Sequence, residues 1–124
     1  MTPRFTLTAA VLDTPDPKGL ALFYQRLLGT ASLQGPALSL RSVGGREVLH
    51  LSFQLEGDHV PPVSPAGPGD PRMQLHLDVE VDDLAAAVEV AIGAGAELAE
   101  FQPQDDVRVL LDPAGHPFCL WVGA

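Results

Sequence analysis

Residues 73–84 read M-Q-L-H-L-D-V-E-V-D-D-L, and their alternation decides how the rest of the chain is interpreted. Apolar side chains at every second position, with polar residues between them, are typical of a strand that has one buried face. Asp82 follows as the predicted cap of a helix that ends at Gly95. A strand followed directly by a helix is therefore the pattern to seek elsewhere in the chain.

The first half of the chain repeats this order. Residues 5–12 predict a strand, and Asp16 caps a helix whose first residue is a proline and whose end is Gly29. Thirteen residues separate Asp16 from Gly29, as thirteen separate Asp82 from Gly95. The spacing of the two halves is repeated, although their residues are not.

Short strands are predicted after each helix, at residues 31–34, 37–42 and 47–55 in the first half and at 97–101, 107–112 and 117–122 in the second. Gly44-Gly45 turns the last hairpin of the first half, and residues 113–115 turn the last hairpin of the second. Each half is therefore predicted to be a β-α-β-β-β module.

The modules cover about residues 4–55 and 73–122, and residues 56–72 form a Pro/Gly segment between them. This segment contains five prolines and three glycines, so it can sustain neither a helix nor a strand ladder. A module of this size cannot close its own core. We therefore expect a single α+β domain over residues 1–124, in which a curved mixed sheet forms a cup with the helices outside.

Charge and cysteine content narrow the classes of partner. Seven Lys plus Arg against sixteen Asp plus Glu leave a net charge of −9, which repels nucleic acid and anionic membrane surfaces. This charge serves either solubility alone or a preference for cationic ligands. No apolar run has the length of about 18 residues that a membrane span requires. The one cysteine, Cys119, excludes an intramolecular disulfide and agrees with a reducing compartment, so a cytoplasmic location is expected.

Three segments resemble the glyoxalase-like domain family of the vicinal-oxygen-chelate superfamily, namely residues 16–29 (D-P-K-G-L-A-L-F-Y-Q-R-L-L-G), 75–84 (L-H-L-D-V-E-V-D-D-L) and 112–120 (D-P-A-G-H-P-F-C-L). The resemblance covers almost the whole chain and implies the fold shared by glyoxalases, bleomycin-resistance proteins and extradiol dioxygenases. Function is less narrowly implied, because this fold hosts lyases, isomerases, oxygenases and antibiotic binders without catalytic activity.

The resemblance also implies where a metal would be held. Metal-dependent members take one ligand from the first strand and one from the last strand of each module, and those positions carry Ala9 or Ala10, His50, His76 and Cys119 here. A slip of two residues in the alignment would replace His50 by Ser52. The family pattern D-P-x-G-x-x-x-E has glutamate where this chain has Cys119. Two imidazoles and a thiolate with an open position are a known zinc set, so His50, His76 and Cys119 are the candidate ligands. No organic cofactor is expected.

A second interpretation requires no metal. His50 and His76 then line a ligand pocket, and Cys119 is a small buried residue at a strand end. The strand faces that carry the two histidines would add further polar residues to this pocket, namely Ser52, Gln54, Asp78 and Glu80. The remaining histidines, His59 and His116, lie in the Pro/Gly segment and in the last turn and are expected to be solvent-exposed.

Two functions follow from these interpretations. The first is a binding protein for a small cationic organic molecule, which the acidic residues and the net charge of −9 would attract. The alternative is a divalent-metal-dependent lyase, isomerase or oxygenase that acts on a substrate with vicinal oxygens. Glyoxalase I activity is not expected, because both glutamate ligands of that family are absent. The resemblance further implies a homodimer, in which the Pro/Gly segment would permit exchange of modules.

Overall fold

A computed structural model of the chain describes residues 2–5, 7–28 and 50–123. They belong to two compact units, Met1–Gly57 and Asp58–Ala124. Several predicted features lie outside the described residues, namely the strands at 31–34 and 37–42, the turn at Gly44-Gly45 and the helix end at Gly29. Within the described ranges, no helix is long and apolar enough to cross a membrane.

The described residues of the first unit form a strand, a helix and a second strand. β1 (Ala9–Thr14) runs parallel to β2 (His50–Leu55), with Ala9 opposite His50. The helix α1 (Pro17–Leu28) packs against both strands. A parallel pair needs a long crossover connection, and α1 lies within that connection.

The apolar stripe of α1 forms the core of this unit. Asp16 caps the helix as predicted, since its Oδ1 accepts a hydrogen bond of 3.1 Å from the Gly19 N–H. Phe23 and Tyr24 are buried, and the Tyr24 ring stacks on Phe53 of β2 with 5.9 Å between the ring centres. The apolar face of α1 and the buried face of β2 therefore pack together in one core.

The start of β1 differs from the prediction. The alternation suggested a strand over residues 5–12, but Phe5 and Leu7 are exposed and the strand begins at Ala9. The described pairing of β1 with β2 runs from Ala9 opposite His50 to Thr14 opposite Leu55. The sequence pattern of residues 5–12 thus predicted a strand correctly but placed its start four residues too early.

The second unit has the β-α-β-β-β order that was predicted for it. Its elements are β3 (Leu77–Val81), α2 (Leu84–Ala94), β4 (Glu97–Leu98), β5 (Val107–Leu111) and β6 (Pro117–Val122). The four strands form one sheet in the order β3-β6-β5-β4, in which only β3 and β6 are parallel. The mixed α+β class predicted from the sequence is confirmed.

The core of the second unit lies between α2 and one face of this sheet. Ala91 of α2 is fully buried, as are Leu110 of β5 and Phe118 of β6, and Leu120 is nearly so. Because side chains alternate along β6, the intervening Cys119 points to the other face of the sheet. That second face carries the residues discussed below.

Two predicted boundaries in this unit were wrong. The cap of α2 is Asp83 and not Asp82, since the Asp83 Oδ1 accepts a hydrogen bond of 3.1 Å from the Ala86 N–H. The strand predicted from residue 73 begins only at Leu77, which pairs with Phe118. Pro117 has no N–H to extend the ladder with β3 further back.

Candidate functional site

The candidate site lies on the sheet face of the second unit that points away from α2. Asp78 of β3 lies opposite Cys119 of β6, and Cys119 in turn lies opposite Val109 of β5. Two residues further along β6, Trp121 lies opposite Val107. Strand pairing therefore places a carboxylate, a thiol and an indole on one surface, although they are distant in sequence.

A groove of about 830 Å³ covers this face. Residues 62–64 of the Pro/Gly segment line one side, and residues 97–101 together with Pro103 and Gln104 line another. All of its lining residues belong to the second unit. The described lining thus comes from the second module and from the Pro/Gly segment ahead of it.

The lining combines apolar surface with negative charge. Three carboxylates, those of Asp78, Glu97 and Glu100, line the groove, and among its described lining residues there is neither a lysine nor an arginine. Two aromatic residues of the lining are well exposed, Phe101 at 51% and Trp121 at 36% of their surface. Such a surface favours a ligand that is both apolar and positively charged.

Three groups that can ligate metals lie close together in the lining of the groove. The His76 Nε2 lies 3.1 Å from the Asp78 Oδ1, and the ligand atoms of His76, Asp78 and Cys119 all lie within 4.8 Å of one another. Burial raises the pKa of the Cys119 thiol above its usual range, and the negative charge of Asp78 and its hydrogen bond to the thiol raise it further. Without a metal, the thiol therefore keeps its proton.

This arrangement was only partly anticipated. His76 and Cys119 were candidate ligands, whereas Asp78 was assigned to the pocket alone. In tetrahedral zinc sites, bonds of about 2.0–2.3 Å put neighbouring ligand atoms about 3.3–3.8 Å apart. Here the His76 Nε2 and the Asp78 Oδ1 are 3.1 Å apart, and all three ligand atoms lie within 4.8 Å of one another. One nitrogen, one oxygen and one sulfur are donors that zinc accepts, so these residues fit a divalent metal.

His50, the remaining candidate ligand, belongs to the first unit. The register of β1 and β2 pairs it with Ala9 and not with Ala10, so the corresponding position on β1 carries no ligand. Ser52 and Gln54 share its strand face by alternation. The His50 Nδ1 is buried and has no hydrogen-bond partner among the described residues.

Glu80, the last of the predicted pocket residues, lies on β3 opposite Trp121. It is not part of the groove lining, and its carboxylate lies beside Gly123, where an added methyl group would approach the Glu80 Oε2 to 2.5 Å. Asp78 therefore contributes to the groove, whereas Glu80 lies beyond its end.

The expectation that His59 and His116 are solvent-exposed was wrong. The His116 side chain is only 17% exposed, and its Nδ1 lies 2.9 Å from the buried carboxylate of Asp112. The His59 ring packs against the His116 ring with 4.8 Å between centres, and its Nε2–H donates to the Ala114 carbonyl at 2.9 Å. These contacts fasten the Pro/Gly segment, just ahead of residues 62–64, to the last turn.

Gln102 was also missed, because a lone glutamine in a loop carries no recognisable signal. Its side-chain amide pairs with the backbone of Val109, donating to the carbonyl and accepting from the N–H, each at 2.9 Å. The same Nε2 donates to the Ala99 carbonyl at 2.8 Å. The side chain thus continues the ladder where β4 ends after two residues, which explains why the strand predicted over 97–101 is short.

Comparison with known proteins shows one family and one fold. The model of a glyoxalase-like domain family matches residues 9–121. The structure is similar to a glyoxalase/bleomycin resistance protein/dioxygenase family enzyme from Burkholderia phytofirmans PsJN, with 23% identity, a TM-score of 0.64 and coverage of 94% of this chain and 97% of the other. A glyoxalase/bleomycin resistance protein from Albidiferax ferrireducens T118 aligns with 17% identity and a TM-score of 0.64, covering 94% and 98%.

The fosfomycin resistance protein FosX from Mesorhizobium loti also shares the fold, with 12% identity, a TM-score of 0.64 and coverage of 96% of this chain and 92% of the other. No curated protein matches the sequence. At these identities the solved structures establish the fold alone.

Proposed function

We propose that this chain, a member of the glyoxalase-like domain family of the vicinal-oxygen-chelate superfamily, is a binding protein. Its ligand is a small aromatic cation, which it holds in the groove of its second unit. The observation that carries this proposal is the composition of the groove. Exposed aromatic side chains stand beside three carboxylates, and no lysine or arginine is found among the described lining residues. The proposal combines this surface with a fold that includes proteins described as bleomycin and fosfomycin resistance proteins.

The aromatic ring and the positive charge of the ligand would each contact a different set of groove residues. The faces of Phe101 and Trp121 can pack on an aromatic ring and attract a cation, an effect of about 0.5–2 kcal/mol. The carboxylates of Glu97 and Glu100 add about 0.7 kcal/mol each for a charge some 6 Å away in water. The net charge of −9 adds a long-range attraction that speeds encounter at low salt.

The fluorescence of Trp121 can report ligand binding directly, because Trp121 is the only tryptophan of the chain and it lines the groove. Titration with benzyltrimethylammonium should change its fluorescence, and uncharged benzyl alcohol and anionic phenylacetate should bind far more weakly. Added salt should weaken binding of the cation, because the carboxylates are exposed.

A double variant tests the role of charge without altering packing. Glu97→Gln with Glu100→Gln should weaken binding of the cation by about three- to tenfold at low ionic strength. Glu89→Gln is the matched control, since Glu89 is exposed on α2 and does not line the groove. Equal affinity for the cation and the uncharged alcohol, or equal effects of both variants, would refute the proposal.

A second candidate function is a divalent-metal-dependent lyase, isomerase or oxygenase acting on vicinal oxygens. The convergence of His76, Asp78 and Cys119 favours it, because such a metal polarises the oxygens of a bound substrate. The test is turnover of a hemithioacetal or a catechol by the protein with added zinc, manganese or iron(II). Activity that His76→Ala abolishes would support this function over simple binding.

The family resemblance also supports a homodimer, and the single cysteine supports a location in the reducing cytoplasm. Sedimentation of the purified protein at several concentrations would measure its mass in solution. A mass of one chain at all concentrations would exclude the dimer.

A further inference from the structure

Asp78 occupies a special place in the groove, because it contacts both neighbouring donors. Its Oδ1 lies 3.1 Å from the His76 Nε2, and a ligand oxygen of its carboxylate lies within 4.8 Å of the Cys119 Sγ. The backbone holds the pair in place, since Asp78 and Cys119 are directly opposed in the parallel ladder of β3 and β6. The carboxylate therefore links an imidazole and a thiol that are far apart in sequence.

We propose that His76, Asp78 and Cys119 form a zinc site contained in the second module, with Asp78 as the third protein ligand. This set differs from the one that the family resemblance implies, in which His50 of the first module takes part and the position of Asp78 takes none. The inference is independent of the aromatic cation proposed above and is tested with the metal alone.

The donor types specify the class of metal. An imidazole nitrogen, a carboxylate oxygen and a thiolate sulfur suit zinc, and three protein ligands leave a fourth position for water or a substrate oxygen. Softer monovalent copper would be expected with more sulfur, and calcium or magnesium with oxygen ligands only. One ring nitrogen of His76 would bind the ion, and the other would keep its proton.

Binding of the ion requires one proton to leave. The Cys119 thiol would give its proton to solvent and bind as thiolate, and the Asp78 carboxylate would bind the same ion. The groove thereby gains two positive charges from the ion and one negative charge from sulfur. Because Glu97 and Glu100 are unaffected, the groove remains acidic and can still attract an organic cation.

The tag-free protein, stripped with EDTA, should be titrated with cobalt(II) and zinc(II). Cobalt bound to Cys119 should produce a thiolate-to-metal charge-transfer band and the intense visible bands of a four-coordinate ion, and zinc should bleach both at one equivalent. Isothermal titration with zinc in two buffers of different ionisation enthalpy should show release of one proton per ion.

Variants then identify the ligands. His76→Ala, Asp78→Asn and Cys119→Ser should each weaken zinc binding by more than about tenfold, and Cys119→Ser should also remove the charge-transfer band. Glu80→Gln is the control on the same strand, and it should leave zinc binding unchanged, because Glu80 lies outside the groove lining. Thermal unfolding of each variant checks that the fold persists.

His50→Ala separates this site from the one implied by the family. Unchanged zinc affinity in His50→Ala, together with loss in Asp78→Asn, is the expected result. Loss in His50→Ala with no change in Asp78→Asn would overturn the proposal in favour of ligands from both modules. Failure of the wild-type protein to bind zinc would overturn it entirely, and would leave the fluorescence test with organic cations unaffected.

Discussion

Asp78 and Cys119 lie directly opposite each other where β3 runs parallel to β6. Burial first, and then the charge and the hydrogen bond of Asp78, raise the pKa of the Cys119 thiol above its ordinary value of 9.0. The thiol is therefore a poor nucleophile at neutral pH, because thiolate is the reactive form. Its chemistry in this groove depends on what replaces its proton.

Alkylation of Cys119 should report on this pairing. In protein treated with EDTA, iodoacetamide at about pH 8 should react several-fold more slowly with Cys119 than with free N-acetylcysteine. Asp78→Asn should accelerate the reaction at least about twofold, since it removes the charge that raises the pKa. Glu80→Gln is the control, and an unchanged rate in Asp78→Asn would show that Asp78 does not influence the thiol.

Alkaline pH should destabilise the protein through the same group. Because the native thiol has the raised pKa, the unfolded chain loses its proton first as the pH passes 9.0, and the free energy of unfolding then declines until the native thiol also ionises. Below pH 9.0 this contribution is fully present. Urea unfolding of EDTA-treated protein at several alkaline pH values should show a steeper decline for wild type than for Cys119→Ser, which lacks the titrating group.

Of the two aspartates before α2, only Asp83 should contribute to stability as the cap of the helix. Asp83→Ala removes the hydrogen bond to the Ala86 N–H and should lower the free energy of unfolding by about 1 kcal/mol. Asp82→Ala should cost less than about 0.5 kcal/mol, because the residue is exposed and does not cap the helix. Chemical denaturation measures both, and equal losses would contradict the assignment of the cap.

Alanine substitutions at two glycines of the second unit should change the free energy of unfolding in opposite directions. Gly93→Ala lies in α2 with open space around the new methyl group and should raise stability by about 0.5–1 kcal/mol. Gly115→Ala should lower it by at least about 2 kcal/mol, because Gly115 has a φ of +87° and the methyl group would meet the Pro61 side chain at 2.6 Å. Thermal unfolding distinguishes the two signs.

Removal of the His59 ring should loosen one side of the groove. His59→Ala deletes the hydrogen bond to the Ala114 carbonyl and the contact with His116, and should cost about 1–2 kcal/mol. Hydrogen exchange at the backbone amides of Val63 and Ser64 should accelerate in His59→Ala. Val60→Ala, a change at an exposed neighbour, is the control, and equal exchange in the two variants would show that His59 does not anchor the segment.

Local signals account for the parts of the fold that were predicted correctly. Apolar residues at helical spacing identified α1, and a proline after Asp16 marked its start, because capping depends only on neighbouring residues. Boundaries were less accurate. The start of β3 depends on Pro117 of β6, which is not a neighbour of β3 in sequence.

The candidate site shows the same division. Alternation alone put His76 and Asp78 on one strand face, and the resemblance identified Cys119 as a position of interest. The contact of Asp78 with both was not predictable, because it depends on the register between β3 and β6. The buried pairing of His116 with Asp112 was likewise missed, since a histidine in a turn of the sequence carries no sign of what will cover it.

The sequence by itself determined the order of helices and strands in the second module, the mixed α+β class and the acidic character of the chain, because periodicity, capping and charge are properties of neighbouring residues and of totals. Tertiary structure alone decided which side chains meet. Strand register brought Asp78 to Cys119, and the packing of His59 on His116 brought the Pro/Gly segment to the edge of the groove. Such contacts arise from long-range pairing, for which a single sequence contains no local signal.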